Sequence, residues 1–203
     1  MLTSILMQQQ QQSFYLTSLC LDGGYCPSVL LIQLLIAFGS HLRRLRVDFD
    51  CLLNLINDVE NNSQLKSVML HRYLTYLELD SIYDPAIDSG DIRRVLTFLF
   101  DNSSSLRHVT FFPMWYLKIF DSNEDMKFLT EILSCCKHRQ QLISIVIYHC
   151  VFLEKSDNNE ETTSLENDLQ KWLNDNTHLK YEQNFHLQCD IKNTMIKLWF
   201  EQN

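Results

Sequence analysis

A short hydrophobic strand pattern recurs along this chain, each time behind an amphipathic helix, and that recurrence limits the folds open to it. The pattern is Leu-x-x-φ-x-φ, with φ Leu, Val, Ile or Phe, and its six copies begin at Leu16, Leu42, Leu65, Leu74, Leu106 and Leu142. With 46% hydrophobic residues, any single copy arises by chance. The helical faces ahead of the copies are the stronger signal. Leu31, Leu34, Leu35 and Phe38 precede Leu42, and Leu52, Leu55, Ile56 and Val59 precede Leu65. Ile92, Val95, Leu96 and Leu99 precede Leu106, and Leu129, Ile132, Leu133 and Cys136 precede Leu142. Each set has the i, i+3, i+4, i+7 spacing of one helix face. Each face ends four to seven residues before the strand's first leucine.

A helix plus one strand cannot bury its apolar face alone, whereas repetition lets each unit bury that face against the next. A helix between two strands is a crossover, so the strands are expected to run parallel in one sheet. Side chains alternate across a strand. Leu45, Val47 and Phe49 should therefore point into the core, with Val68 and Leu70, Leu77 and Leu79, Val109 and Phe111, and Ile145 and Ile147. The alternate positions should line an open face: Arg44, Arg46 and Asp48; Ser67 and Met69; Tyr76, Glu78 and Asp80; His108 and Thr110; Ser144, Val146 and Tyr148.

Taken in order, residues 1–12 form a glutamine-rich, low-complexity leader. Residues 13–153 hold the repeats: strands over 14–21, 42–49, 65–70 and 106–112, a strand from Leu142, and helices over 29–38, 51–61 (capped by Asp50) and 91–102. Leu74 follows Leu65 by only nine residues (74 − 65), which leaves no room for a helix. Either a helix has been lost there, or 65–79 is one irregular strand. Residues 113–116 read as an aromatic loop, and Ser122-x-x-Asp125 resembles a capping box. Residues 154–164 read as an acidic flexible loop. Residues 165–203 read as a cap: a helix with Leu165, Leu169, Trp172 and Leu173 on one face, then a hairpin of 185–190 with 195–200. Trp172, Leu173, Leu179 and Trp199 are expected to pack over the end of the last repeat.

This pattern resembles leucine-rich repeats, specifically the irregular, variable-length repeats of F-box/leucine-rich-repeat proteins. The C-terminal Trp172-Leu173-x-x-Asn176-Thr177-His178-Leu179 and the hairpin ending Ile196-Lys197-Leu198-Trp199 are similar to the end of such proteins. The resemblance implies an α/β fold: a short leucine-rich-repeat-like solenoid, with a parallel sheet on one face, helices on the other and a C-terminal helix-plus-hairpin cap. It also implies recognition of a protein substrate for a cullin-RING ubiquitin ligase. The F-box itself, a helical segment opening on a Leu-Pro-x-Glu-like signature, is not found, and the stretch before Phe14 is too short to hold it.

The 25 acidic and 17 basic residues leave a net charge of −8, which argues against a nucleic-acid backbone as main partner. The longest apolar run, 29–38, is broken by Gln33 and falls short of the ~20 residues of a membrane span. Seven cysteines without paired spacing suit a reducing compartment, so a cytoplasmic or nuclear monomer is expected. Cys135-Cys136-Lys137-His138 and His149-Cys150 cluster thiols and imidazoles but lack the paired spacing of a zinc site. No catalytic residue, metal or cofactor is expected. The alternatives are a small thiol- or metal-dependent enzyme using Cys135, His138, His149 or Cys150, or a truncated paralogue without independent function. Arg43, Arg44 and Arg46 form a basic cluster that could take an anion or an acidic peptide. The expected function is thus non-enzymatic protein binding. The candidate surface is Arg44, Arg46, Asp48, Ser67, Met69, Tyr76, Glu78, Asp80, His108 and Thr110.

Overall fold

The computed structural model describes residues 16–21, 27–38, 41–60, 74–80, 89–113, 116–119, 123–135, 142–152, 159–177, 185–190 and 193–200. In chain order these form β1 (Ser18–Cys20), α1 (Ser28–Phe38), β2 (Arg44–Asp48), α2 (Phe49–Glu60), β3 (Tyr76–Asp80), α3 (Ser89–Asn102) and β4 (His108–Phe112). They continue with β5 (Leu117–Ile119), α4 (Asn123–Cys135), β6 (Ser144–Ile147), β7 (Cys150–Phe152), α5 (Asn159–Asn176), β8 (Phe185–Asp190) and β9 (Met195–Phe200). Seven strands make one sheet in the order β1-β2-β3-β4-β6-β9-β8, and β5 and β7 make a separate parallel pair. The first five strands of the large sheet are parallel, as helical crossovers require, and the β8–β9 hairpin closes the far edge antiparallel to β6. This is a mixed α/β fold built on a mostly parallel sheet.

Register sorts the side chains into two inner rows. Leu19, Leu45, Leu77, Val109, Ile145, Leu198 and Leu187 stand side by side across all seven strands. Val47, Leu79, Phe111, Ile147, Ile196 and Cys189 form the next row. The five described helices press onto these rows: Leu31 and Leu35 of α1, Leu52, Leu55, Ile56 and Val59 of α2, Ile92, Val95, Leu96 and Leu99 of α3, Leu129, Ile132 and Leu133 of α4, and Leu169 and Leu173 of α5 share one core with them. Helix neighbours follow chain order, α1 against α2, α2 against α3, and α3 against α4. Burying one large aliphatic side chain contributes ~1.5–3 kcal/mol, so the two rows and the helical stripes dominate stability.

Several expectations need correction. Phe49 is buried as expected, but it opens α2 instead of ending a strand. The cap of that helix is Asp48, not Asp50: Asp48 Oδ1 accepts the backbone N–H of Asp50 at 3.0 Å, the bond an N-cap makes to the second helical residue. Asp125, read from sequence as the far end of a capping box, is tied to a strand. Its buried Oδ2 accepts the backbone N–H of Lys118 at 2.9 Å, tying α4 to β5, while Ser122 lies outside the described residues. α5 begins at Asn159, inside the stretch read as a loop, and residues 153–158 lie outside the description. The strand read at 65–70, with Val68 and Leu70, also lies outside it. What is described is that β2 pairs directly with β3, Arg44 opposite Tyr76 and Asp48 opposite Asp80. Arg44, Tyr76 and His108 are therefore adjacent in the sheet at even intervals of 32 residues (76 − 44 and 108 − 76). The nine-residue interval does not disturb the sheet.

Candidate functional site: the open face of the sheet

The outer face carries three rows. Ser18, Arg44, Tyr76, His108, Ser144, Trp199 and His186 form the first; Cys20, Arg46, Glu78, Thr110, Val146, Lys197 and Gln188 the second. Asp48, Asp80 and Phe112 begin the third, which continues through Tyr148, stacked on Phe112, and ends on Met195 opposite Asp190. The described helices all contribute to the core on the other side.

Each arginine of β2 reaches one row forward to a carboxylate of β3. Arg44 Nε donates to Glu78 Oε1 at 2.7 Å, and its Nη2 contacts the same oxygen. Arg46 grips Asp80 with two donors, Nε to Oδ2 at 2.8 Å and Nη2 to Oδ1 at 3.3 Å, in the fork geometry a guanidinium favours. The Arg46 guanidinium also lies 4.9 Å from the centre of the Phe112 ring. Glu78 is only 9% exposed, so its charge sits beneath the partner that neutralises it. The basic cluster read from sequence is thus largely spent within the sheet.

Aromatic contacts carry the face onward. Tyr76 stacks on His108 with centroids 4.3 Å apart and planes at 10°, and Phe112 stacks on Tyr148 at 4.7 Å and 3°. His108 Nδ1 lies 2.8 Å from Ser144 Oγ. Burial, then the positive charges of Lys197 and Arg107, push the His108 imidazole below the ordinary histidine value, which keeps it neutral near pH 7. Trp199 stacks against His186 at 5.4 Å, and the Lys197 ammonium lies 5.5 Å from the Trp199 ring centre.

Eight of the ten residues picked from sequence therefore share one face: Arg44, Arg46, Asp48, Tyr76, Glu78, Asp80, His108 and Thr110. Ser67 and Met69 lie outside the described residues. Trp199 does not cover the core as expected. It alternates with the buried Ile196 and Leu198 and stands on the open face beside Ser144. Lys197, Trp199 and His186 were missed as face residues because the sheet admits β9 and β8 through long-range antiparallel pairing with β6. The alternation of Met195, Lys197 and Trp199 with apolar residues was the available signal.

Of the cysteines and histidines read from sequence as a possible reactive cluster, Cys135, His149 and Cys150 fall among the described residues. Among the described residues no three His, Cys, Asp or Glu side chains are placed to share a metal. Cys136 and His138 lie outside the description, and Cys135 is half-buried on α4. Burial pushes the Cys150 thiol up to about 12, with Cys189 and Asp125 adding to the rise against a backbone hydrogen bond at Ile196. A thiol held that high is the opposite of an activated nucleophile. His149 Nδ1 lies 2.6 Å from the Pro113 carbonyl and so must carry the proton it donates there. Its backbone turns left-handed at φ 57°, and its carbonyl accepts the N–H of Leu117 at 2.8 Å, which anchors β5. These roles are architectural.

Comparison with protein families, characterised proteins and solved structures finds no match to this chain. No helix among the described residues is long and apolar enough to cross a membrane. Fold and face define an α/β protein whose mostly parallel sheet presents a mixed polar and aromatic surface.

Proposed function

We propose that this chain is a non-enzymatic protein-binding module whose contact surface is the open sheet face. In this reading the strand–helix units form a short solenoid of leucine-rich-repeat type, with α5 and the β8–β9 hairpin as its end cap. The observation that carries it is the preorganised face. Arg44, Arg46, Tyr76, His108, Phe112 and Trp199 are each held by a neighbouring side chain on a surface that no described helix packs against. Side chains ordered before binding lose little further entropy on association, and Trp, Tyr and Arg are the residue types that dominate contact energies. The resemblance to F-box-type repeats makes the partner a ubiquitin-ligase substrate, met in cytoplasm or nucleus.

Affinity capture with the wild-type chain and with an Arg44→Glu, Arg46→Glu, Glu78→Arg variant tests the surface. Specific partners should be recovered by the wild type and lost by the variant, at unchanged circular dichroism. Equal recovery by both proteins would remove this surface from consideration. Depleting the chain from cells should lengthen the half-life of a recovered partner, and an unchanged half-life would refute the ligase role while leaving the binding role standing.

A further inference from the structure

We infer that the anchor of this face is Lys197, and that its occupant is a protein segment presenting a carboxylate between apolar side chains. The inference rests on the binding-module reading and specifies its partner. Of the three cations among the described face residues, Arg44 and Arg46 are already matched to Glu78 and Asp80. Among the described residues no carboxylate pairs with Lys197, whose ammonium rests instead beside the Trp199 ring. Glu78 and Asp80 lie on β3, and three strands (β4, β6 and β9) carry the sheet onward from there to Lys197. The Asp190 carboxylate, on β8, is taken by the backbone and side chain of Asn193. The β2–β3 half of the face thus holds two internal ion pairs and the further carboxylate of Asp48, a net negative balance, while the β4–β6–β9 half carries one positive charge amid rings.

Its surroundings are apolar on several sides. Val146 stands opposite Lys197, Trp199 lies two residues along the same strand, and the stacked Phe112 and Tyr148 occupy the next row. His108, neutral near pH 7, adds no competing charge there. A carboxylate arriving at Lys197 gains a charge-assisted hydrogen bond among low-dielectric ring faces, and flanking apolar side chains cover Val146 and Trp199. A phosphate backbone fits worse, since its repeated charges would run across Asp48, Glu78 and Asp80 on the same face. With a Debye length of ~8 Å at physiological salt, the chain's overall charge of −8 does not cancel so local an attraction.

Selection of a phage-displayed random dodecapeptide library on the full chain tests this. Wild type should enrich peptides with Asp or Glu flanked by apolar residues. Lys197→Glu should shift the enrichment to Lys or Arg at that position, whereas Lys127→Glu on the helical side should leave it unchanged. A synthetic enriched peptide should bind Lys197→Gln at least tenfold more weakly, with melting temperatures of the variants recorded as the folding control. Enrichment without a carboxylate, or a carboxylate preference that survives Lys197→Glu, would overturn the anchor while leaving the binding face intact. No enrichment on wild type would defeat the binding-face reading and the anchor together. Retention of an octauridylate in preference to every enriched peptide would reassign the face to nucleic acid.

Discussion

Thr194 sits in the left-handed region at φ 48°, where a β-branched residue is disfavoured by ~1–2 kcal/mol. The turn holds it there. Asp190 takes the backbone and side-chain N–H groups of Asn193, and the Thr194 carbonyl accepts Cys150 N–H at 2.8 Å, joining β7 to the hairpin. Thr194→Asn keeps that carbonyl and tolerates the conformation, so a thermal melt should show Tm raised by about 2–4 °C. A lowered Tm would mean that the threonine side chain makes a contact worth more than the strain. Ser103 gives a second residue-scale expectation. Its hydroxyl is fully buried and has no hydrogen-bond partner among the described residues, a state that costs ~1–3 kcal/mol. Ser103→Ala should therefore leave stability unchanged or raise it, while Ser144→Ala, which strips His108 of its Oγ contact, should lower it in the same denaturant titration. The thiols of Cys150 and Cys189 are both pushed up to about 12, chiefly by burial. Their contribution to stability is complete below the ordinary thiol value and declines as pH rises above it. At pH 8 both should resist a thiol-specific aromatic disulfide in the folded chain and react once it is unfolded. Prompt reaction of either one without unfolding would contradict the packing described.

At the scale of elements, the first-row histidine links the face to pH. The His108 value is lowered in the folded chain, so folding favours the neutral imidazole. Its contribution is complete above the ordinary value of 6.5 and is lost as pH falls from there through the folded value. An NMR titration should place the His108 midpoint below 6.5, and Lys197→Gln should raise it, because one of the two opposing positive charges is removed. A midpoint indifferent to Lys197 would show that burial alone sets it. The elements also show what was legible in the chain. Leu45 and Val47, Leu77 and Leu79, Val109 and Phe111, and Ile145 and Ile147 could be assigned inward because each strand alternates and each follows an amphipathic helix. The hairpin of β8 and β9 was legible for the same reason. β5 and β7 were not, since three residues are too few to establish a period and their pairing depends on the positions of Pro113 and His149. The start of α5 was hidden because its first residues are polar and acidic, without an apolar stripe to mark them. The cap of α2 was misplaced by two residues because Asp48 and Asp50 are equally good cap residues, and only the backbone decides between them.

For the whole molecule, order in the sheet follows order in the chain from β1 to β6, with the β5–β7 pair set apart, and then reverses. β9 inserts between β6 and β8, so the C-terminal strand and not the hairpin's first strand meets the repeats. Local pattern could announce two strands there but not which of them touches β6, since that is settled by pairing between segments that β7 and α5 separate in the chain. Two consequences follow from this placement. Ile196 and Leu198 extend both inner rows and are fully buried, whereas Lys197 and Trp199 extend the outer face. Removing residues 195–203 would thus delete two core side chains worth ~1.5–3 kcal/mol each, release β8 from its partner among the described strands of the large sheet, and leave β6 as a bare edge. Against the ~5–15 kcal/mol of a typical domain, that loss is large. The truncated chain should aggregate or lose cooperative unfolding in a thermal melt. The paired substitution Lys197→Gln with Trp199→Ala, which removes only outer-face groups of the same strand, should keep a cooperative transition while abolishing peptide capture. If the truncated chain melts like the intact one, β9 is no structural part of the sheet, and the argument that one strand both closes the core and carries the anchor of the binding face fails with it.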